Sequence, residues 1–478
     1  MSKLRRVALV LALAVVALGA TGAVYLLRAQ RDVTTSSAEA YRYYRLGVEN
    51  DLKLYSREAL ESYAEALKHD PNFVMATVRL AGKLYGRDRE RAQSLIQSAR
   101  RMRDQVTRKE QLLLELAEAQ VQRKPDDAKV DALVAEFGRR YPNDPEAYQL
   151  RCERLMKKGK TEEVVQEFQE LIKANPNYAI AYNYLGYYAA RAGDFAKAED
   201  YLKRYRFLAP EQANPYDSLG EIYIHFGRYD EAEQSFKKAL SIKPDFWPSV
   251  AHLGTLEVAR GNYLAAAEHY RRSAENTVGD SERFDMLVPA FYCLTLAGKG
   301  EEALAEFQKL ASEIRVGGTE AERQAFDRRT SYAKVALLAR AGHVQEARAA
   351  VDDVLKAARV AVPPSDKEKV IAVEREETNI LGILEFFEGR FEDAAAHIAK
   401  GLELTPPGSV GFSYFPGHEL RRVYLAKALR QLGKPAEAEE ALKPVLSHNP
   451  RFAAAAQELS AIRGEQPPEA VARAGAGS

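Results

Sequence analysis

Between Ala179 and Phe246 the chain writes one 34-residue pattern twice, first as AIAYNYLGYYAARAGDFAKAEDYLKRYRFLAPEQ and then as ANPYDSLGEIYIHFGRYDEAEQSFKKALSIKPDF. Laid over each other, the copies pair Tyr182 with Tyr216, Leu185 with Leu219, Gly186 with Gly220, Gly193 with Gly227, Ala198 with Ala232, Leu202 with Phe236 and Pro210 with Pro244. Tyr216, Leu219, Gly220 and Tyr223 fall at i, i+3, i+4 and i+7, one face of a helix, and Ala232, Phe236 and Ala239 do the same for a second. Gly220 and Ala232 are small where two helices must come close, Gly227 breaks the chain between them, and Pro244 restricts Lys243 to extended backbone before the next helix. Each unit is therefore a helical hairpin that cannot bury its apolar faces alone, so neighbouring units must stack.

The pattern continues on both sides. The first unit carries Tyr43, Leu46, Gly47, Ala59, Tyr63, Ala66 and Pro71, and three worn units follow, the last with Tyr148, Leu155, Val164, Phe168 and Pro176. Downstream, Leu253-Gly254 with Ala266 and Tyr270 mark a seventh unit, and Leu381-Gly382, Ala394, Ile398 and Pro406 mark a clear tenth. The count reaches eleven, followed by a closing helix over Ala453 to Arg463 and a disordered tail over 464–478. The pattern resembles the tetratricopeptide (TPR) repeat, whose large residue, Leu-Gly, small Ala and closing Pro are matched position for position at Tyr182, Leu185, Gly186, Ala198, Tyr216, Leu219, Gly220, Ala232, Phe236 and Pro244. That resemblance implies an all-α fold, a right-handed superhelical solenoid of about eleven helix-turn-helix repeats. It also implies a protein-binding array with a concave groove lined by the first helix of each pair.

Where the 34-residue arithmetic fails, the extra residues fall near Arg315 to Thr319, near Arg359 to Lys369, where Ser365-x-x-Glu368 reads as a capping box, and in Pro406 to Gly417. The last insertion carries Phe412, Tyr414 and Phe415, which on a loop set by a rigid scaffold suit either a contact site or packing back onto the array.

Residues 1–33 are of another kind. Lys3, Arg5 and Arg6 precede an uncharged run from Val7 to Leu27, long enough as a helix to span roughly 32 Å against a hydrocarbon core of about 30 Å. The expectation is a transmembrane anchor placing residues 7–27 in the lipid bilayer, with a signal peptide, cut among Gly19, Ala20, Gly22 and Ala23, as the rival. The flanking basic residues favour a short cytoplasmic N-terminus, hence a bacterial inner-membrane, single-pass protein with periplasmic repeats, or a secreted or periplasmic one after cleavage. Ser37 is placed to cap the helix that starts at Ala38. The expected organisation is an anchor over 1–33, repeats one to seven over 34–278, and repeats eight to eleven over 279–463.

Little in the chain suggests chemistry. A net charge of +1 gives no global case for nucleic acid. Cys152 and Cys293, 141 residues apart, read as small buried hydrophobes rather than a disulfide or a metal site. HExxH, GxSxG, GxxxxGK[ST] and GxGxxG are absent, and His418-Glu419 has Arg422 where a second zinc-binding His belongs. Neither catalysis, cofactor nor metal is expected.

Carried over by position from the TPR resemblance, the groove-facing residues are Asn183 and Tyr187 in unit five, Asp217 and Glu221 in unit six and Asn379 in unit ten. The two carboxylates, four apart on one helix face, disfavour a C-terminal carboxylate and suit a basic or aromatic peptide, or else a Lys or Arg from another repeat. A second, narrower resemblance lies in VTTSSAEAYRYYRLGVEN, DQVTRKEQLLLELAEAQ and NPYDSLGE. These are similar to the repeat region that follows the transmembrane helix in bacterial receptor-type serine/threonine kinases and some membrane-bound transcriptional regulators. Only six residues precede the apolar run here, so their cytoplasmic effector is expected to be absent. Two functions follow as expectations: an anchored scaffold holding protein or peptide partners, or an orphan sensor whose membrane helix couples to a separate effector.

Overall fold

The computed structural model describes residues 32–86, 88–122, 126–277, 279–314, 320–360, 367–405 and 414–466. Among these, 23 α-helices and no strands are present, falling in chain order into eleven pairs and one closing helix. They divide between two compact units, one ending at Lys158 and one beginning at Gly159.

The first unit holds α1 (Ala38–Leu52), α2 (Ser56–His69), α3 (Val74–Leu84), α4 (Arg89–Arg100), α5 (Arg108–Gln120), α6 (Asp127–Arg140) and α7 (Pro145–Lys157). The Ser37 side chain accepts from the backbone N–H of Ala40 at 3.1 Å and so caps α1. Tyr63, Phe73, Met75, Leu112 and Phe137 are fully buried and form the centre of its core. Glu110 is buried too, yet satisfied: its carboxylate takes the N–H and hydroxyl of Thr34 and those of Thr107, closing a capping box at the start of α5.

The second unit runs through α8 (Thr161–Ala174), α9 (Ala179–Arg191), α10 (Phe195–Leu208), α11 (Asn214–His225), α12 (Tyr229–Ile242), α13 (Trp247–Arg260), α14 (Tyr263–Ala274), α15 (Asp280–Leu296), α16 (Gly300–Glu313), α17 (Glu320–Ala341), α18 (Val344–Val360), α19 (Lys367–Phe387), α20 (Phe391–Glu403), α21 (Gly417–Gln431), α22 (Pro435–Leu446) and α23 (Ala453–Arg463). The repeat positions do in it what their spacing requires. A Cβ on Gly220 would lie 2.4 Å from the Phe236 ring, and one on Gly186 would lie 2.6 Å from Leu202, so α11 meets α12, and α9 meets α10, at distances only glycine permits. Ala198, Leu202, Ala232 and Phe236 have no exposed surface. Gly227, at φ 72°, occupies the left-handed region that ends α11, with Arg228 N–H donating back to the Tyr223 carbonyl at 2.8 Å. The hydroxyls of Tyr182 and Tyr216 donate to the carbonyls of Pro176 and Pro210 at 3.0 and 3.1 Å, tying each first helix to the turn before it.

The extra residues do not all go into connections. Helices α17 and α19 are 22 and 21 residues long, against 12 to 14 for α9 to α12. The segments that lengthen them are rich in Glu, Arg and Lys and free of Gly and Pro, so nothing stops a helix from extending through them. Cys152 and Cys293 are buried, and neither is in a disulfide. The Ser365 capping box, Pro406 and Phe412 lie outside the described residues, as does all but the first part of the 464–478 tail.

The membrane expectation is corrected. Among the described residues no helix is long and apolar enough to cross a bilayer, which conflicts with a single-pass inner-membrane protein. The longest of them, α17, carries Glu320, Glu322, Arg323, Asp327, Arg328, Arg329, Lys334 and Arg340, charges that hydrocarbon would not accept. The run 7–27 lies outside the described residues.

Candidate protein-interaction surface

The first helices of repeats five, six and seven, α9, α11 and α13, stack on one another in the second unit. Their facing side chains form one buried polar network. Tyr187 on α9 donates its hydroxyl to Glu221 Oε2 at 2.6 Å. On α13, Ser249 Oγ donates to Asp217 Oδ1 at 2.7 Å, His252 Nδ1 lies 3.0 Å from the same oxygen, and His252 Nε2 lies 3.6 Å from Glu221 Oε1. Asp217, Glu221 and His252 are 3%, 9% and 3% exposed, so one imidazole sits between two carboxylates out of contact with bulk water.

Electrostatics fix the charge state. Burial opposes a proton on His252, but Asp217 and Glu221 outweigh it and push the imidazole up to about 10. Burial likewise opposes ionisation of Glu221, and the imidazolium, with the Tyr187 hydroxyl, holds its carboxyl below the usual range. Burial and the two carboxylates together raise the Tyr187 phenol well above its ordinary value, so it remains a donor. The group is a charged triad whose attractions are satisfied internally.

The structure thus brings Tyr187, Asp217 and Glu221 together. The cation that meets the two carboxylates is a histidine of the next repeat, where the sequence had suggested a partner's cation or a Lys or Arg. His252 falls one period after Ser218, and nothing in its local sequence marks it; the available signal is its repeat register beside an acidic pair. Asn183 is buried one turn before Tyr187, and its side-chain oxygen has no hydrogen-bond partner among the described residues. Asn379 stands apart on α19, where its oxygen accepts from Arg421 Nη1 at 2.5 Å.

Over the triad lies a piece of the chain's own insertion. The Tyr414 ring packs 4.7 Å from His252 and 5.3 Å from Trp247, and its main-chain carbonyl accepts from Thr255 Oγ1 at 2.6 Å and from the Tyr270 hydroxyl. The Phe415 ring lies 5.7 Å from Tyr292 on α15. A second return contact sits nearby. Asn449, just before α23, donates to the Ile224 carbonyl at 2.9 Å and accepts from the Tyr229 hydroxyl at 2.9 Å, while Arg451 covers the Tyr229 ring at 4.8 Å. Residues 220 and more positions apart therefore meet at the turn between α11 and α12.

Successive hairpins of this length and packing define a helical-repeat protein. Residues 182–316 match the family model of the middle TPR-like domain of cilia and flagella-associated protein 70. Solved structures with a similar course include the APC/C hetero-tetramer Cut9–Hcn1, at 14% identity and TM-score 0.46 over 94% of this chain and 81% of that one. A tetratricopeptide repeat protein from Parabacteroides merdae ATCC 43184 matches at 15% identity and TM-score 0.39 over 67% and 98%, and yeast Tom70 at 14% and 0.38 over 90% and 89%. No curated protein sequence matches the chain. The stretch 182–316 is thus similar to a TPR-like domain, and it lies within a longer run of helical hairpins. The narrower likeness to bacterial receptor kinases finds no support among these matches.

Proposed function

We propose that this protein is a non-catalytic scaffold that holds an extended segment of a protein partner against the first-helix faces of its repeats. The observation that carries the reading is the seat taken by Tyr414 and Phe415: a short stretch of chain lies across α13, α14 and α15, held by a main-chain carbonyl and two rings. Carbonyl acceptance is open to any extended peptide, and aromatic rings bring large, rigid contact area at low entropic cost. Within this proposal Asn183, Tyr187, Asp217 and Glu221 belong to the wall and floor of the seat, and Asn379 to a separate place on repeat ten. Crosslinking in cells that express the chain, followed by mass spectrometry and by calorimetry with the purified partner, tests it. Saturable binding with crosslinks in repeats five to seven is the expected result; crosslinks confined to the outer second helices would overturn it.

A further inference from the structure

We propose that the seat formed by Trp247, His252, Thr255 and Tyr270 is a recognition site for an aromatic residue in an extended protein segment, and that Tyr414 is an internal occupant which a partner must displace. The proposal rests on the scaffold reading and goes further by naming the feature that is read and the competition that regulates it.

Three observations carry it. The first concerns the origin of the occupant. Tyr414 belongs to the stretch from Pro406 to Gly417, by which the tenth-to-eleventh repeat exceeds the 34-residue period. The hairpins of repeats five and six close within 34 residues and have no counterpart of this stretch, so Tyr414 is an addition to the array rather than one of its repeat positions.

The second is the kind of contact. Thr255 already has an acceptor in its own helix, the Ala251 carbonyl at 3.3 Å, and turns the same hydroxyl to the Tyr414 carbonyl at 2.6 Å. Tyr270 adds a second donor to that oxygen. Two side-chain hydroxyls converging on one main-chain carbonyl recognise backbone, not sequence, and an incoming peptide can offer the same atom.

The third is the floor. The Tyr414 ring rests on an imidazole held protonated between Asp217 and Glu221, with the Trp247 indole at its side. An aromatic face over a cation gains attraction that an aliphatic side chain does not, so the floor selects a ring. Phe415 against Tyr292 sets the position of the next residue, and a second aromatic fits there.

The internal occupant competes through its tether. Tyr414 lies three residues before α21 and is covalently part of the same folded unit, so it acts on its seat at an effective concentration of about millimolar, and a free peptide of equal intrinsic affinity binds the intact chain far more weakly than a chain whose seat is vacant. The test uses the full chain, a Tyr414→Ala, Phe415→Ala variant, and a fluorescent peptide of sequence VGFSYFPG, residues 410–417. Anisotropy is expected to show at least tenfold tighter binding to the variant than to the unaltered chain. The peptide with Ala in place of its tyrosine should bind neither, and adding Thr255→Val to the variant should weaken binding severalfold. Equal binding to both chains, or none to a variant that still melts cooperatively, would overturn the proposal. Should the variant not fold, Trp247, the single tryptophan of the chain, reports on the unaltered protein. A saturable change in its emission on adding excess peptide supports displacement, and an unchanged spectrum up to millimolar peptide rejects it. Partner crosslinks that persist in repeats five to seven while peptide binding fails would leave the scaffold standing and remove only the aromatic seat.

Discussion

Asp217 and Glu221 stand four residues apart on α11, a spacing at which like charges repel by a few tenths of a kcal/mol even in water. Buried together they would cost far more, and His252 is what makes the arrangement stable. Replacing it with glutamine keeps hydrogen-bonding capacity but removes the charge, so His252→Gln should cost about 3 to 5 kcal/mol, the penalty for breaking a buried pair, read as a drop in the denaturation midpoint followed through Trp247. The pH dependence has a definite sign. An imidazole raised from 6.5 to about 10 contributes its full stabilisation below pH 6.5 and loses it as pH rises toward 10. Glu221, held low, acts at the other end, losing its contribution as pH falls through its folded value. The groups facing the imidazole are Asp217, Glu221 and Tyr414, with Tyr187 behind Glu221. The midpoint should therefore fall between pH 7 and pH 9.5 in the unaltered chain and stay nearly level over that range in His252→Gln; equal slopes would show that another group titrates. At this scale the sequence disclosed the acidic pair but not its counter-ion, because spacing along one helix says which residues share a face and nothing of what the next repeat places opposite.

The helical hairpin is the scale at which the sequence was most legible. A period of 34 residues with small residues at Gly220 and Ala232 and a breaker at Gly227 states two helices, their close face and the turn between them, and the structure has each of these in place. The worn repeats kept their geometry because apolar positions such as Ile96, Leu114 and Phe137 still fill the interior. Less legible were the long helices α17 to α19, since a charged stretch without Gly or Pro reads equally as a connection or as an extended helix. The contact of α11 with α12 gives a direct test. Ala232 has no exposed surface, and Ala232→Leu must force extra methyl groups into a filled space at a cost of about 1 to 3 kcal/mol. Gly220→Ala should act in the same direction through Phe236, whose ring a new Cβ would meet at 2.4 Å. In both variants amide exchange should rise first in α11 and α12 and in the helices packed directly on them. An even rise across the second unit would mean that it unfolds as one cooperative body.

A stacked array in which each repeat touches only its neighbours loses stability locally, and the sequence supported that reading because a period fixes the unit but not the small rotation from one unit to the next. Summed over seven repeats, that rotation decides whether the end of the second unit runs free or returns. Within that unit it returns: Asn449 bonds to Ile224 and Tyr229 across 225 and 220 residues, and α23 packs on α13. The contact is specific as well as distant, since the Asn449 amide supplies both the donor and the acceptor that two buried groups at the α11–α12 turn require. Asn449→Ala would leave the Ile224 carbonyl without that donor and the Tyr229 hydroxyl without its best acceptor, a penalty of about 1 to 3 kcal/mol. Where that penalty is felt distinguishes a closed unit from an open one. In a closed unit, exchange should quicken together at 446–453 and at 224–229, two stretches that belong to different repeats, with α23 loosening on α13 as well. In an open array the second stretch would keep its protection, because its own neighbours, α10 and α13, would be untouched. The same opening should make Tyr414 easier to displace, since α21 begins at Gly417, three residues after it, and carries the chain on to α22 and the Asn449 contact. Tighter VGFSYFPG peptide binding to Asn449→Ala than to the unaltered chain would tie closure of the unit to occupancy of its seat, and unchanged binding would show that the two return contacts hold independently.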